Sequence, residues 1–318
     1  MRKLKLLFIF VLILGACSEK FKGDLIFAEA NSDQGFNFPY FLYLPEDLSK
    51  KDTYLIVEPN NSGFLDDDLG RHIEKAKRNA TRDFYTGNYC ASRLGYPLLV
   101  PVFPRPKSQS HTYTHALDRD VIMQKNNALE RIDLQLIAMI RDAKDRLDAM
   151  EIAVHDEILM TGFSASGSFV NRFTMLHPDL VKASAAGGLN GLLMLPLKKI
   201  DSLNLIYPVG VWDFENLTGK AFNVEAFKNT PQFLYMGALD DNDAIPFDDA
   251  FSEDERQLIY QVLGKEMQAE RWSNCKMIYD SLEVDAEIKT YENTGHENPE
   301  QVKQEIFHFF RQVSAKKE

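Results

Sequence analysis

Ile158-Leu159-Met160-Thr161-Gly162-Phe163-Ser164-Ala165-Ser166-Gly167 runs from an apolar, strand-like stretch through a glycine- and serine-rich turn into a helix-like segment, Phe169 to Leu176. This is the layout of a nucleophile elbow, in which a serine sits in a strained strand-to-helix turn. Small residues two before and two after it let the backbones approach. Gly162 and Ser166 supply those positions around Ser164. A second register, Ser164-Ala165-Ser166-Gly167-Ser168, is centred on Ser166. Ser164 is preferred because it follows the strand by the shortest turn and Gly162 is best able to take the local strain. The same residues would also suit an ordinary helix start with Ser164 as its N-cap.

Outward from this turn, short β-rich runs alternate with helix-period segments, which predicts a mostly parallel sheet with helices on both faces, an α/β fold. Strands are expected at Tyr40 to Leu44, Thr53 to Glu58, Leu98 to Phe103, Ile158 to Thr161, Ala183 to Gly187, Tyr207 to Val211, Phe233 to Gly237 and Ala286 to Tyr291. The first two could form an antiparallel hairpin at one edge. Between Leu129 and Met150, Ile132, Leu136, Ile137, Ile140 and Leu147 recur at helical spacing, placing a helix directly before the elbow strand. Trp212 and Phe214 read as core residues.

At the N-terminus, Arg2, Lys3 and Lys5 precede an apolar run from Leu6 to Leu14, followed by Gly15, Ala16 and Cys17. The run is too short to span a bilayer as a helix. The pattern resembles a bacterial lipoprotein signal, with a lipobox Leu14-Gly15-Ala16-Cys17, and implies cleavage before Cys17 and lipidation of its thiol. The expected division is a signal peptide over 1–16, a tether over 17–37, one catalytic domain over 38–312 and a tail over 313–318. Loss of the first 16 residues leaves 33 basic against 47 acidic residues, a net charge of −14 in place of −11. Such a surface repels nucleic acid and anionic membrane alike, so attachment would come from the lipid. About 300 residues with 45% hydrophobic content can bury one large core. With Cys17 assigned to lipid, Cys90 and Cys275 remain and could pair outside the cytoplasm. No cysteine and histidine cluster has zinc-ligand spacing, and no metal or cofactor is expected.

Loops at the carboxyl ends of strands carry the chemistry of open α/β sheets. Four are rich in polar residues here: Pro59 to Gly63, Pro104 to His115, Asp240 to Asp243, and Asn293 to Asn298. A serine hydroxyl needs an imidazole to take its proton and a carboxylate to orient that imidazole. Ser164, the acidic loop and His296 supply the three in the order serine, acid, histidine. His111 and His115 precede the elbow and suit substrate contact or loop packing better than the base role. Asp240 is the preferred acid, three residues past Gly237, with Asp243 next and Asp241 last. The acidic run fails the EF-hand calcium pattern, since the required glycine is missing. For the oxyanion, the Ala165 N–H is the natural first donor, and the second is expected from the Asn60 to Gly63 turn, as a backbone N–H or as a side-chain amide of Asn60 or Asn61. Arg105, His111 and His115 are expected along the cleft, Arg105 either holding a substrate carboxylate or bracing its own loop.

With the elbow GFSASG, the Asn171-Arg172-Phe173 helix and this residue order, the chain resembles the α/β-hydrolases, and in particular secreted or lipoprotein serine esterases such as the polyester depolymerase and feruloyl-esterase-like groups. The similarity covers about residues 38 to 312. It implies a metal-free Ser-Asp-His hydrolase that works through an acyl-enzyme, most simply a carboxylesterase acting on a small-molecule or polymeric ester. Two departures are Ser166, where many members have glycine, and a missing HGGG segment. The competing readings are a serine peptidase on the same fold and a non-catalytic envelope lipoprotein that binds a ligand in the cleft. The expected location is the cell envelope, on the extracytoplasmic side.

Overall fold

The computed structural model describes residues 22–50 and 52–316. Its sheet is laid down around two strands, β3 (Thr53–Val57) and β5 (Val154–Phe163), which pair in parallel. Every residue of β3 is buried, as expected of a central strand covered on both faces. Because side chains alternate along a strand, Leu55, Val57 and Met160 enter one apolar layer and Ile56 and Leu159 the other.

The remaining strands of the main sheet are β1 (Asp24–Ala28), β2 (Tyr40–Leu44), β4 (Leu98–Pro101), β6 (Val181–Gly187), β9 (Gln232–Gly237) and β10 (Ala286–Tyr291), while β7 (Lys199–Ile200) and β8 (Leu203–Asn204) form a separate two-stranded pair. Among the described residues the main sheet has the order β1-β2-β4-β3-β5-β6-β9-β10. Pairing is antiparallel across β1, β2 and β4 and parallel from β4 to β10.

The helices, in chain order, are α1 (Leu69–Thr81), α2 (Thr86–Leu94), α3 (Arg119–Ile122), α4 (Ile132–Ala149), α5 (Ala165–Leu176), α6 (Phe214–Thr218), α7 (Val224–Asn229), α8 (Glu253–Leu263), α9 (Ser273–Ser281) and α10 (Glu300–Ala315). On α4, Ile132, Leu136, Met139, Ile140, Ala143 and Leu147 recur at three- and four-residue spacing and are buried. They join α5, α8 and α9 on one face of the sheet, whereas α1, α2 and α10 cover the other.

Several expectations are corrected. The first two expected strands do not form a hairpin: Tyr40–Leu44 lies between β1 and β4, and Thr53–Val57 lies between β4 and β5. Twisted parallel pairing with β4 and β5 buries β3 on both faces, which an edge hairpin could not do. The sheet also begins before the expected domain start at residue 38, since β1 occupies part of the expected 17–37 tether. Tyr207 to Val211 is a run of turns in which the Val209 and Gly210 N–H groups bond the Ile206 carbonyl instead of a neighbouring strand. Phe214 is buried as expected, but Trp212 is 44% exposed. Cys90 and Cys275 are free and buried in layers on opposite faces of the sheet, which keeps them apart. The expected signal peptide and Cys17 lie outside the described residues.

Candidate active site

The elbow is built as its residue types require. Ser164 has φ 62° and ψ −128°, a conformation that costs an L-residue on the order of 1–3 kcal/mol and persists only where its surroundings over-determine it. The surroundings are specific. The Ser164 N–H donates to the Gly187 carbonyl at 2.8 Å, and the Ser168 N–H to the Ser164 carbonyl at 3.0 Å. A Cβ at position 162 would lie 2.3 Å from the Ser166 carbonyl oxygen, so only glycine fits. No side-chain capping bond is made by Ser164, which sets aside the N-cap reading; the residue is half-buried and lines a pocket.

Ser166 is buried, and its hydroxyl is occupied: it donates to the Phe163 carbonyl at 2.9 Å and accepts the Phe163 N–H at 3.0 Å. In the alternative register the central hydroxyl would have to give up both of these bonds. The serine at this position ties the turn to the start of its own helix.

Two loops meet beside the elbow at the carboxyl ends of β9 and β10. Their approach depends on Gly237, where a Cβ would lie 2.2 Å from the Thr294 carbonyl oxygen. The Leu239 N–H donates to that same carbonyl at 2.9 Å, and the Gln268 amide donates to the Gly237 carbonyl at 2.8 Å. This crossing sets the His296 Nδ1 at 2.9 and 3.1 Å from the two carboxylate oxygens of Asp240, whose side chain is 1% exposed. The imidazole also lies over Phe163, with ring centroids 4.8 Å apart, and its Cε1 is 3.0 Å from where a Cβ of Gly188 would be. His296 thus sits against the residues that flank Ser164. Its Nε2 accepts the Asn242 side-chain amide at 3.1 Å, which requires the proton on Nδ1 and the lone pair on Nε2.

The other acids of the loop do not reach the imidazole. Asp243 pairs at 2.5 Å with the fully buried Arg271, which also holds the Asn190 carbonyl. A buried guanidinium needs that carboxylate more than the solvated histidine does. Asp241 is exposed.

Among the expected oxyanion donors, Ala165 opens α5, whose first-turn N–H groups have no intrahelical acceptor. The Asn60 side chain is spent elsewhere. Its amide nitrogen donates to the Phe103 carbonyl at 2.8 Å and meets His115 Nε2 at 3.2 Å, while its oxygen accepts the Phe103 N–H. Asn61 accepts the Gly63 N–H at 3.2 Å and shapes its own turn.

The expected cleft residues are corrected as well. His115 is fully buried, and burial pushes its imidazole down to about 3, leaving it a neutral brace. Arg105 pairs with Asp249 at 2.6 Å and stacks 3.5 Å over the Tyr113 ring, so it braces the loop rather than lining the cleft. His111 bonds the Asp248 carbonyl at 3.0 Å. These contacts tie the Pro104 to His115 loop to the Asp248–Asp249 turn. The pocket beside Ser164 is small, with a cavity volume of about 40 Å³, and is walled instead by Tyr113, Ser168, Arg172, Asn190, Asn242 and Phe251. Ser168 and Arg172 follow Ser164 by four and eight residues along one helix, a spacing that helical periodicity makes legible. Asn190 and Phe251 come from remote loops and leave no such mark.

Fold, elbow and loop crossing together define the class: the chain has the α/β-hydrolase fold. Many solved structures are similar to it, two of them as follows. Poly(aspartic acid) hydrolase-1 from Sphingomonas sp. KT-1 superposes with a TM-score of 0.56 at 17% identity, over 91% of this chain and 98% of that one. The poly(3-hydroxybutyrate) depolymerase LpqC from Bordetella parapertussis gives 0.54 at 16% identity, over 91% and 89%. No protein-family model matches the chain, and no curated protein matches it by sequence.

Proposed function

We propose that this protein is a serine hydrolase, most simply a carboxylesterase, with Ser164 as nucleophile, His296 as general base and Asp240 as the carboxylate that orients it. One observation carries the reading: a buried carboxylate 2.9 Å from an imidazole whose lone pair lies on the ring nitrogen turned away from it, beside the turn that holds Ser164 at positive φ. In the reaction, His296 Nε2 takes the Ser164 proton as the hydroxyl attacks the acyl carbon, and Asp240 stabilises the imidazolium. The Ala165 N–H, with a backbone donor from the 60–63 turn, meets the developing oxyanion. His296 then returns the proton to the leaving alcohol, and water repeats the sequence on the acyl-enzyme. The Asn242 amide must leave Nε2 for the proton transfer to occur.

Labelling with a fluorophosphonate tests the assignment. Ser164→Ala should abolish labelling while preserving the fold, and Ser166→Ala should retain it. Labelling that persists in Ser164→Ala would remove the nucleophile from this account. Esterase and peptidase activities share the mechanism, and the rates on an acyl ester and its matching anilide separate them.

The N-terminal pattern supports a further part of the proposal, lipid anchoring at Cys17 on the extracytoplasmic side of the envelope. Seven residues from Cys17 to Asp24 span at most about 25 Å, so the anchor would hold the domain close to the bilayer. Incorporation of an alkyne fatty acid into the wild type and not into Cys17→Ala is the expected result.

A further inference from the structure

The wall of the Ser164 pocket contains one cation, four polar side chains besides Ser164 itself that can donate hydrogen bonds (Tyr113, Ser168, Asn190 and Asn242), and no carboxylate. On a chain with 47 acidic and 36 basic residues this is a local inversion of charge. The cation is Arg172. It is 5% exposed, and it spends one guanidinium N–H on the Ala116 carbonyl at 2.8 Å. Its other contact is the Phe251 ring, 5.6 Å from the guanidinium carbon to the centroid. Asp118 is near enough to feel the charge, but its two oxygens accept the Val121 and Tyr113 N–H groups at 2.8 and 2.9 Å. Among the described residues no ion pair joins Arg172 to any carboxylate.

Buried charges are ordinarily paired, because an unpaired one bears the full cost of desolvation. A guanidinium that is buried, unpaired and open to a pocket has its partner in whatever fills that pocket. Helix geometry gives the direction. Arg172 lies eight residues past Ser164, about 12 Å along the axis, and helical side chains lean toward the N-terminus, which carries the guanidinium back toward the nucleophile. The Asn190 side chain helps from the other side, its oxygen fixed by the Ala244 N–H at 3.0 Å, which leaves its amide N–H groups for the pocket.

We propose that this pocket receives a carboxylate, carried on the acyl part of the substrate, with Arg172 as its main recognition residue and Ser168 and Asn190 as supporting donors. The preferred substrates are half-esters of short dicarboxylic acids or acyl groups bearing a carboxylated side chain, and neutral acyl groups of equal length are poorer. This specificity rests on the serine-hydrolase reading above.

The test compares methyl hydrogen succinate with methyl butyrate, two esters of equal acyl length, by methanol release. Charge-assisted hydrogen bonds of this kind predict that the wild type favours the succinate in kcat/KM by about 10- to 100-fold. In Arg172→Gln that preference should collapse, and Arg172→Lys should restore part of it. Because Arg172 also holds the Ala116 carbonyl, a measurement on the wild type stands beside the variants: succinate should slow fluorophosphonate labelling at concentrations where butyrate does not. Equal use of both esters by a wild type that still labels at Ser164 overturns the carboxylate site and leaves the hydrolase. A succinate preference untouched in Arg172→Gln removes Arg172 from it. A wild type that does not label at all removes the hydrolase reading and this proposal with it.

Discussion

At His296 the two ring nitrogens face different partners, Asp240 on one side and the Asn242 amide on the other, and the second contact occupies the lone pair that the proposed proton transfer from Ser164 needs. One neutral hydrogen bond contributes about 0.5–1.5 kcal/mol, so Asn242→Ala should raise the second-order rate of fluorophosphonate labelling about two- to tenfold. A lower rate would make Asn242 a support for the imidazole instead of a cover. The two aspartates of the same loop should separate cleanly. Asp240→Asn should lower kcat by about 10⁴-fold with little effect on thermal stability, as loss of the orienting carboxylate does in serine hydrolases. Asp243→Asn should instead lower stability by roughly 3 kcal/mol, read by denaturant unfolding, because it strands the buried Arg271.

The strand-turn-helix of β5 and α5 is the element on which the site depends, and its tightest contact is at Gly162. A methyl group there would need to displace the Ser166 carbonyl, 2.3 Å away, which would drive the start of α5 off the strand. Gly162→Ala should therefore cost about 2 kcal/mol or more in urea unfolding and slow fluorophosphonate labelling further than stability alone explains. If labelling stays at the wild-type rate, the turn does not control the position of the hydroxyl. The loops after β9 and β10 obey the same logic through Gly237: backbone crossing distance, more than side-chain packing, sets the Asp240–His296 contact.

Across the whole molecule, buried ionisable groups give stability a pH dependence with opposing parts. Burial pushes the Glu58 carboxyl up to about 8 from an ordinary 4.5, with the Gly87 N–H as its hydrogen-bond donor. Between those values the native state holds a proton that the unfolded chain has released, so this contribution is complete below about 4.5 and is lost as pH rises to about 8. His115 acts the other way. With its imidazole held down to about 3 from 6.5, the unfolded chain binds the extra proton, and stability falls as pH falls through that window. In the wild type the two slopes offset each other near pH 5–6. Glu58→Gln removes the first contribution and leaves the others in place, so its stability relative to wild type should increase by a few kcal/mol from about pH 4.5 to 8 and then level off, at about 1.4 kcal/mol per unit at most. A constant difference across that range would show that Glu58 titrates normally.

From sequence alone, periodicity and small-residue spacing determined the α/β layering and the strand-turn-helix around Ser164, each a local pattern enforced by local sterics, while residue order and strand-end loops supplied the candidates Asp240 and His296. The edge of the sheet, the disposition of Tyr207 to Val211 and the separation of Cys90 from Cys275 depended on which strands pair and which face a helix covers, and these are contacts between distant segments. The same is true of which aspartate meets which partner, Asp243 being held by the buried Arg271 of another element while Asp240 lies against His296, and of the withdrawal of Asn60, His115 and Arg105 into loop bracing. Only the folded chain decides which partner a polar side chain meets, because burial raises the cost of leaving any one of them unpaired and so assigns each to the nearest group that can satisfy it.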